Sequence, residues 1–159
     1  DGRNVLQGDE EDNYLDGFGG RDWVFGKGGN DILIFDNADQ MLHGGEGFDT
    51  LRLSSAAGGL VSLKGSPNIV SIEAIDMTSV GYTLRLTAED VCRISDNDAL
   101  VITSVPPGAF NSFNTIDPGT GWQFDGYSEN GRFLQFSQSG AHLTIENTIQ
   151  LIGLNDVLP

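Results

Sequence analysis

Basic side chains are scarce in this chain. Eight lysines and arginines stand against 23 aspartates and glutamates over 159 residues, a net charge of -15. Nucleic acid and anionic membrane surfaces both attract Lys and Arg, so the balance argues against either as a partner. Cysteine is almost absent: Cys92 stands alone, which excludes an internal disulfide framework. No stretch approaches the ~18 apolar residues of a membrane span, and none at the N-terminus reads as a signal peptide. Histidine occurs twice, at His43 and His142, in no recognisable motif. Gly-x-Ser-x-Gly, His-Glu-x-x-His and phosphate-loop patterns are missing, so no feature makes a positive case for an enzyme.

What the chain does have is glycine at fixed intervals. Cut every nine residues from Gly17, the sequence reads GFGGRDWVF, GKGGNDILI, FDNADQMLH and GGEGFDTLR. With Asp49 at the sixth position, stepping back by nine gives Gln40, Asp31, Asp22, Asn13 and Asn4, each a carboxylate or an amide. The eighth position gives Leu51, Leu42, Leu33, Val24, Leu15 and Leu6, all aliphatic. Six repeats share one frame, and the first enters midway at Asp1, as in an array that starts upstream. The period matches the calcium-binding nonapeptide G-G-x-G-x-D-x-U-x of parallel β-helices.

Physical chemistry accounts for the pattern. Glycines in the first half can take positive φ and let carbonyls converge on one spot. The second half, x-D-x-U-x, is a short strand with one side chain facing inward. Two nonapeptides make one coil, so stacked turns come from repeats two apart. Calcium takes roughly six to eight oxygens, more than one turn supplies. The expected pairs are therefore Asn4 with Asp22, Asn13 with Asp31, Asp22 with Gln40, and Asp31 with Asp49. The last, with two carboxylates, should bind tightest; Phe35 and Ala38 replace glycines in the Gln40 turn and should weaken it. Residues 1–53 hold 12 acidic and 4 basic residues. Their repulsion opposes compaction, so folding should be coupled to the cation. A requirement for calcium in the millimolar range points outside the cell.

The fold class expected is all-β: a calcium-binding parallel β-roll over 1–53, then a β-rich capping region with one short helix over 54–159. Trp23, Phe25 and Met41 on one outward face, and Ile32 and Ile34 on the other, would be costly in water. Part of 54–159 is expected to pack over one of these faces, the rival being a ligand surface with Trp23 stacking on a sugar. Beyond Leu53 come a small turn-like stretch over 54–59 and strands at Val61–Leu63, Val70–Met77 and Tyr82–Leu86. Thr87-Ala88-Glu89-Asp90 is a capping box for a helix to about Ile94, with Val91 and Ile94 toward the core and Cys92 partly buried. Ala99–Thr103 is a strand, and Pro106, Pro107 and Gly108 open a loop. An antiparallel meander is expected over Trp122–Phe124, Phe133–Phe136, Ala141–Ile145 and Ile149–Ile152. This cap should cover the open end of the roll.

The repeats at 17–53 resemble those of the repeats-in-toxin family, exported by Gram-negative bacteria through type I secretion. The stretches NIVSIEAIDMTSVGYTLRLTAEDVCRISDNDALVIT, GWQFDGYSENGRFLQF and AHLTIENTIQLIGL resemble the segment after the repeats in very large biofilm adhesins of that family. The resemblance implies that Asn13, Asp22, Asp31 and Asp49 with Gly17, Gly19, Gly26, Gly28, Gly44 and Gly45 hold Ca2+, and the pairing of stacked turns adds Asn4. It further implies a secreted chain at the bacterial cell surface. That chain would engage the type I secretion machinery during export and a surface or glycan ligand afterwards, without entering a membrane. The alternatives are an accessory roll of a secreted enzyme or toxin and a lectin-like module.

Overall fold

A computed structural model describes residues 2–53, 59–65, 68–77, 81–104, 114–146 and 149–152. The repeat strands are β1 (Val5–Gln7), β2 (Tyr14–Leu15), β3 (Trp23–Gly28), β4 (Ile32–Phe35), β5 (Met41–Glu46) and β6 (Thr50–Leu53). They alternate between two parallel sheets, β1-β3-β5 and β2-β4-β6. Leu6 pairs with Val24 and Val24 with Leu42 in one, and Leu15 with Leu33 and Leu33 with Leu51 in the other. Two nonapeptides therefore make each coil. Val24, Leu33, Leu42 and Leu51 are fully buried between the sheets, a stabilisation of ~1.5–3 kcal/mol each. Leu6 and Leu15 in the first coil are only partly buried.

Beyond Leu53 the chain keeps coiling, and its strands cover the open end of the roll as expected. The next elements are β7 (Gly59–Ser62), β8 (Ile69–Val70), β9 (Ala74–Met77) and β10 (Tyr82–Arg85), then α1 (Ala88–Ile94), β11 (Ala99–Ser104) and β12 (Thr115–Asp117). They end with β13 (Gln123–Tyr127), β14 (Phe133–Gln138), β15 (Ala141–Glu146) and β16 (Gln150–Leu151). Strand β8 extends the first sheet beyond β5, while β9, β11 and β15 extend the second beyond β6, all in parallel. A third parallel sheet, β7-β10-β12-β16, lies outside the roll. The two-sided roll thus becomes a three-sided coil. One inward column runs through Leu33, Leu51, Ile75, Ile102 and Ile145, and a new one through Val61, Leu84, Ile116 and Leu151. A single hydrophobic core joins Val24 at one end to Ile149 at the other.

The coil step grows from 18 residues in the roll to 24 between Arg52 and Asp76, because each coil acquires a third side. The described elements meet the roll end-on, supplying β8 and β9 to the edges that β5 and β6 would otherwise leave unpaired. Trp23, Phe25, Met41 and Ile32 stay half-buried, and Ile34 is buried. Of the two outward faces, one of which later residues are expected to cover, the Trp23 face stays half-buried and Ile34 on the other is buried, while the described strands beyond Leu53 extend the sheets along the axis.

Helix α1 forms as its capping box dictates. Thr87 Oγ1 accepts the Asp90 amide, and Asp90 accepts the Thr87 amide in return. It stands where a strand would follow β8, with the Ile72 amide donating to the Ile94 carbonyl, and so closes the first sheet with a helix. Val91 and Ile94 are fully buried. Cys92 is exposed rather than partly buried, because it falls about 100° around the helix from Val91. Its thiol is pushed up by the slight desolvation it still meets on the helix surface and by the neighbouring Asp98 carboxylate.

Two strand expectations also change. Val70–Met77 is two strands, broken at Ser71, which has φ of 53°. The antiparallel part at the end is β13-β14-β15 only, since β16 crosses to pair in parallel with β12. The Ile149 amide donates to the Glu146 carbonyl between β15 and β16. The stretch over 54–58, the Pro106-Pro107-Gly108 break and residues 153–159 lie outside the described residues.

Candidate metal centre

Each glycine-rich turn bends at its second and fourth positions. Phe18 and Gly20, Lys27 and Gly29, and Gly45 and Gly47 all have positive φ. At Gly45 glycine is required twice over, by φ of 122° and by the Lys27 carbonyl, which a Cβ would meet at under 3.0 Å. The bend returns the chain so that turns eighteen residues apart stack directly.

The stacking is held by sixth-position carboxylates. The Asn4 amide donates to Oδ1 of Asp22 at 2.8 Å, the Asn13 amide to Oδ1 of Asp31 at 2.7 Å, and the Asp31 amide to Oδ1 of Asp49 at 2.8 Å. Each aspartate spends one oxygen on the turn before it. The second oxygens, Oδ2 of Asp22, Asp31 and Asp49, are buried without a hydrogen-bond partner, and the residues are at most 1% exposed. A buried carboxylate oxygen that meets no donor is costly unless a cation compensates it.

All three orphaned oxygens sit against first-position glycines. A Cβ on Gly17, Gly26 or Gly44 would lie under 3.0 Å from Oδ2 of Asp22, Asp31 or Asp49 respectively. On Gly26 the same Cβ would also fall within 3.0 Å of the Gly44 carbonyl. The missing side chain thus reserves a cradle lined by a carboxylate oxygen, and at Gly26 and Gly44 by a carbonyl as well. Such oxygens suit a hard cation of the calcium kind. No group of three or more His, Cys, Asp or Glu converges among the described residues. Backbone carbonyls take the place of extra side chains in these cradles.

Burial raises the Asp31 carboxyl above the usual carboxylate range and pushes Asp49 up to about 6. In Asp49 the bond from the Asp31 amide opposes that rise, while the nearby Asp31 and Glu73 charges add to it. Without a cation these turns therefore carry charge in the wrong place, and the fold is strained electrostatically at neutral pH.

The other predicted residues divide. Asn4 donates its side-chain amide to the Gly17 carbonyl, and Asn13 is occupied by Asp9, accepting the Asp9 amide at 2.8 Å. The Asn13 oxygen faces Gly8, where a Cβ would meet it at under 3.0 Å, but it carries no charge and already accepts the Asp9 amide. Gln40 turns outward to accept a bond from Arg21, and its own amide binds the Asp22 carbonyl. The turn before it satisfies itself: Asp36 accepts the Ala38 amide, and Asp39 accepts the Asp36 amide. Gly19 and Gly28 serve in backbone stacking, with the Gly19 carbonyl accepting the Gly2 amide and the Gly28 amide donating to Asp9.

Sequence reasoning missed Glu73. Its Oε2 accepts the Asp49 amide at 2.9 Å, the role an aspartate plays in each turn before it. Burial raises its carboxyl. The available signal was Glu-Ala-Ile, an acid two residues before an aliphatic as in Asp-Thr-Leu, but 24 residues on instead of 18.

Trp23 pairs across strands with Met41, and Phe25 with His43, whose ring lies 6.4 Å away. The Arg3 guanidinium covers one face of Trp23 at 4.5 Å, taking a surface that a sugar would need. His142 is exposed on β15, far along the chain from His43.

Residues 1–33 match the family model of the RTX calcium-binding nonapeptide repeat, in 4 copies. These repeats bind calcium, so calcium is the ion that the cradles call for. No curated protein and no solved structure matches the chain. The cradle geometry at Gly44 lies beyond the matched residues and is of the same kind. No helix among the described residues is long and apolar enough to cross a membrane.

Proposed function

We propose that this chain is a calcium-dependent folding module of a secreted protein, a binding and scaffolding element rather than an enzyme. The observation that carries the reading is the set of three buried Oδ2 atoms, each without a donor and each in a cradle that glycine keeps open. Asp22, Asp31 and Asp49 are the anionic ligands in this reading, with the carbonyls of stacked turns completing each site. Bound calcium supplies the positive charge that these oxygens lack and joins turns that are distant in sequence.

The rest follows from the chain's own charge. Where calcium is scarce, carboxylates crowded along the repeats repel and the turns stay open, which keeps the segment threadable. Where calcium is plentiful, the coil closes and its sheets template the larger coils that follow through β8 and β9. Proteins carrying this repeat are typically secreted. The resemblance of 68–103, 121–136 and 141–154 to the post-repeat segment of large adhesins supports placing the module in the C-terminal region of a type I secreted adhesin. There it would engage the export machinery unfolded and act at the cell surface folded.

The test is a calcium titration from chelator to about 10 mM, followed by circular dichroism and hydrodynamic radius, with magnesium as control. The expected result is a cooperative gain of β signal with compaction, specific for calcium. A chain already compact in chelator and indifferent to calcium would overturn the reading.

A further inference from the structure

We infer that the cation column does not end with the nonapeptides: its last site, in the Gly44 cradle, lies at the junction between roll and three-sided coil, where the carbonyl of Ser71 joins Asp49. This deepens the calcium reading above and rests on it.

Three cradles stack in one column. At Gly8 a Cβ would meet Oδ1 of Asn13 and the Gly26 carbonyl; at Gly26, Oδ2 of Asp31 and the Gly44 carbonyl; at Gly44, Oδ2 of Asp49 and the Ser71 carbonyl. All these approaches are under 3.0 Å. The carbonyl of the next turn's first glycine closes the first two cradles. In the third, that glycine is gone and Ser71, 27 residues after Gly44, presents its carbonyl at the equivalent place. Asp49 is 0% exposed, and its Oδ2 has no hydrogen-bond partner. A buried anionic oxygen therefore faces the Ser71 carbonyl with no hydrogen-bond donor in the protein to meet it.

The backbone bears a cost to make this arrangement. Ser71 holds φ of 53°, a region that non-glycine residues rarely adopt. That conformation splits what would be one strand into β8 and β9. Two residues on, Glu73 accepts the Asp49 amide at 2.9 Å, clamping the Ser71 turn onto the Asp49 turn. A non-repeat segment thus reproduces both halves of a repeat turn, the inward carbonyl and the acid that accepts the preceding amide, in three residues. The consequence is that cation binding would reach past the repeats and tie them to the coil that carries the rest of the core.

The experiment is calcium stoichiometry by equilibrium dialysis on the full 159-residue chain and two variants. Ser71→Gly keeps the backbone bend and should bind as many ions as the parent. Ser71→Val sets a β-branched residue against positive φ and should bind one fewer. An equal number for Ser71→Val and the parent overturns the junction site while leaving the repeat sites intact. A parent that binds no calcium removes the broader reading and this one with it. If Ser71→Val does not fold, anomalous diffraction from terbium-loaded parent crystals decides. A peak within ~2.6 Å of both Asp49 Oδ2 and the Ser71 carbonyl supports the site; peaks confined to the Gly17 and Gly26 cradles overturn it.

Discussion

Asp31 stands between two turns and is bound to both. Its Oδ1 accepts the Asn13 amide at 2.7 Å, while its own amide donates to Oδ1 of Asp49 at 2.8 Å. One side of each carboxylate is thus spent on stacking, and Oδ2 is left buried and unpartnered. The same residue that builds the roll without metal makes it unfavourable without metal. This is how a repeat can be competent to fold and still wait for a cation.

Asp31→Asn separates the two roles by sign. The amide oxygen can still accept the Asn13 amide, but the buried negative charge is gone. In chelator the variant should be at least as stable as the parent. In 10 mM calcium it should lose about 2.7 kcal/mol, the linkage energy of one site at a hundredfold excess over a dissociation constant near 0.1 mM. Thermal unfolding in the two conditions checks both signs; an equal loss in chelator would mean that the charge is not there for a cation.

Gly26→Ala should abolish the central cradle. The added Cβ would collide with Oδ2 of Asp31 and with the Gly44 carbonyl, one of them backbone that cannot swing aside. A loss of roughly 3 kcal/mol or more is expected in saturating calcium, the scale of an overpacked core position. Chemical denaturation at fixed calcium measures it, and a loss under 1 kcal/mol would show that the turn has room.

Lys27→Gly should stabilise. Lys27 is exposed and holds φ of 88° at a position where the equivalent residue of the last repeat is Gly45. Left-handed backbone costs an ordinary residue about 1–2 kcal/mol, partly offset by the larger unfolded-state entropy of glycine. A net gain of about 1 kcal/mol should appear as a higher melting temperature at constant calcium. No gain would mean that the strain is relieved elsewhere in the turn.

Asp39→Asn should alter the pH dependence. Burial pushes the Asp39 carboxyl up to about 6 against an ordinary value of 3.8, opposed by the bond from the Asp36 amide and reinforced by the Asp36 and Asp22 charges. A carboxyl raised in the folded state costs stability where it ionises. That cost is absent below about 3.8, grows between about 4 and 6, and stays constant above. Asparagine removes it, so the variant should match the parent near pH 4 and exceed it at pH 7. Asp39 is only half-buried, so solvent screening limits the gain to about 1 kcal/mol. Melting curves between pH 4 and 8 test this, and parallel curves would show that Asp39 titrates normally.

Local rules were readable where they repeat or where they close within one turn of chain. The eighth-position aliphatics do line the interior, the coil step in the roll is eighteen residues, and Thr87 and Asp90 cap α1 reciprocally. The first and sixth positions were legible as a candidate site, and among them the structure leaves buried, unpartnered oxygens at Asp22, Asp31 and Asp49. Asn4, Asn13 and Gln40 look equivalent in the frame, but their amides can donate as well as accept, and nearby groups claim them first.

Other features had no local signal. The second sheet runs on through β9, β11 and β15 with steps of 24 from Thr50 to Ala74, 27 from Ala74 to Val101 and 43 from Ala99 to His142. A coil needs only an inward apolar side chain in register at each level, so the length of its excursions is free and leaves no period to find. Cys92 was misplaced by one helix step, and β16 by assuming that adjacent strands pair.

The sequence by itself determined the nonapeptide coil, its inward aliphatic column and the calcium chemistry of its turns. Each depends on residues within one repeat and on a constant spacing. Only the tertiary structure decided that the coil continues, gains a third side and places Ser71 and Glu73 beside Asp49. Those contacts join residues 22 and 24 apart with no periodic rule, and the shared core that brings them together exists only once the chain has folded.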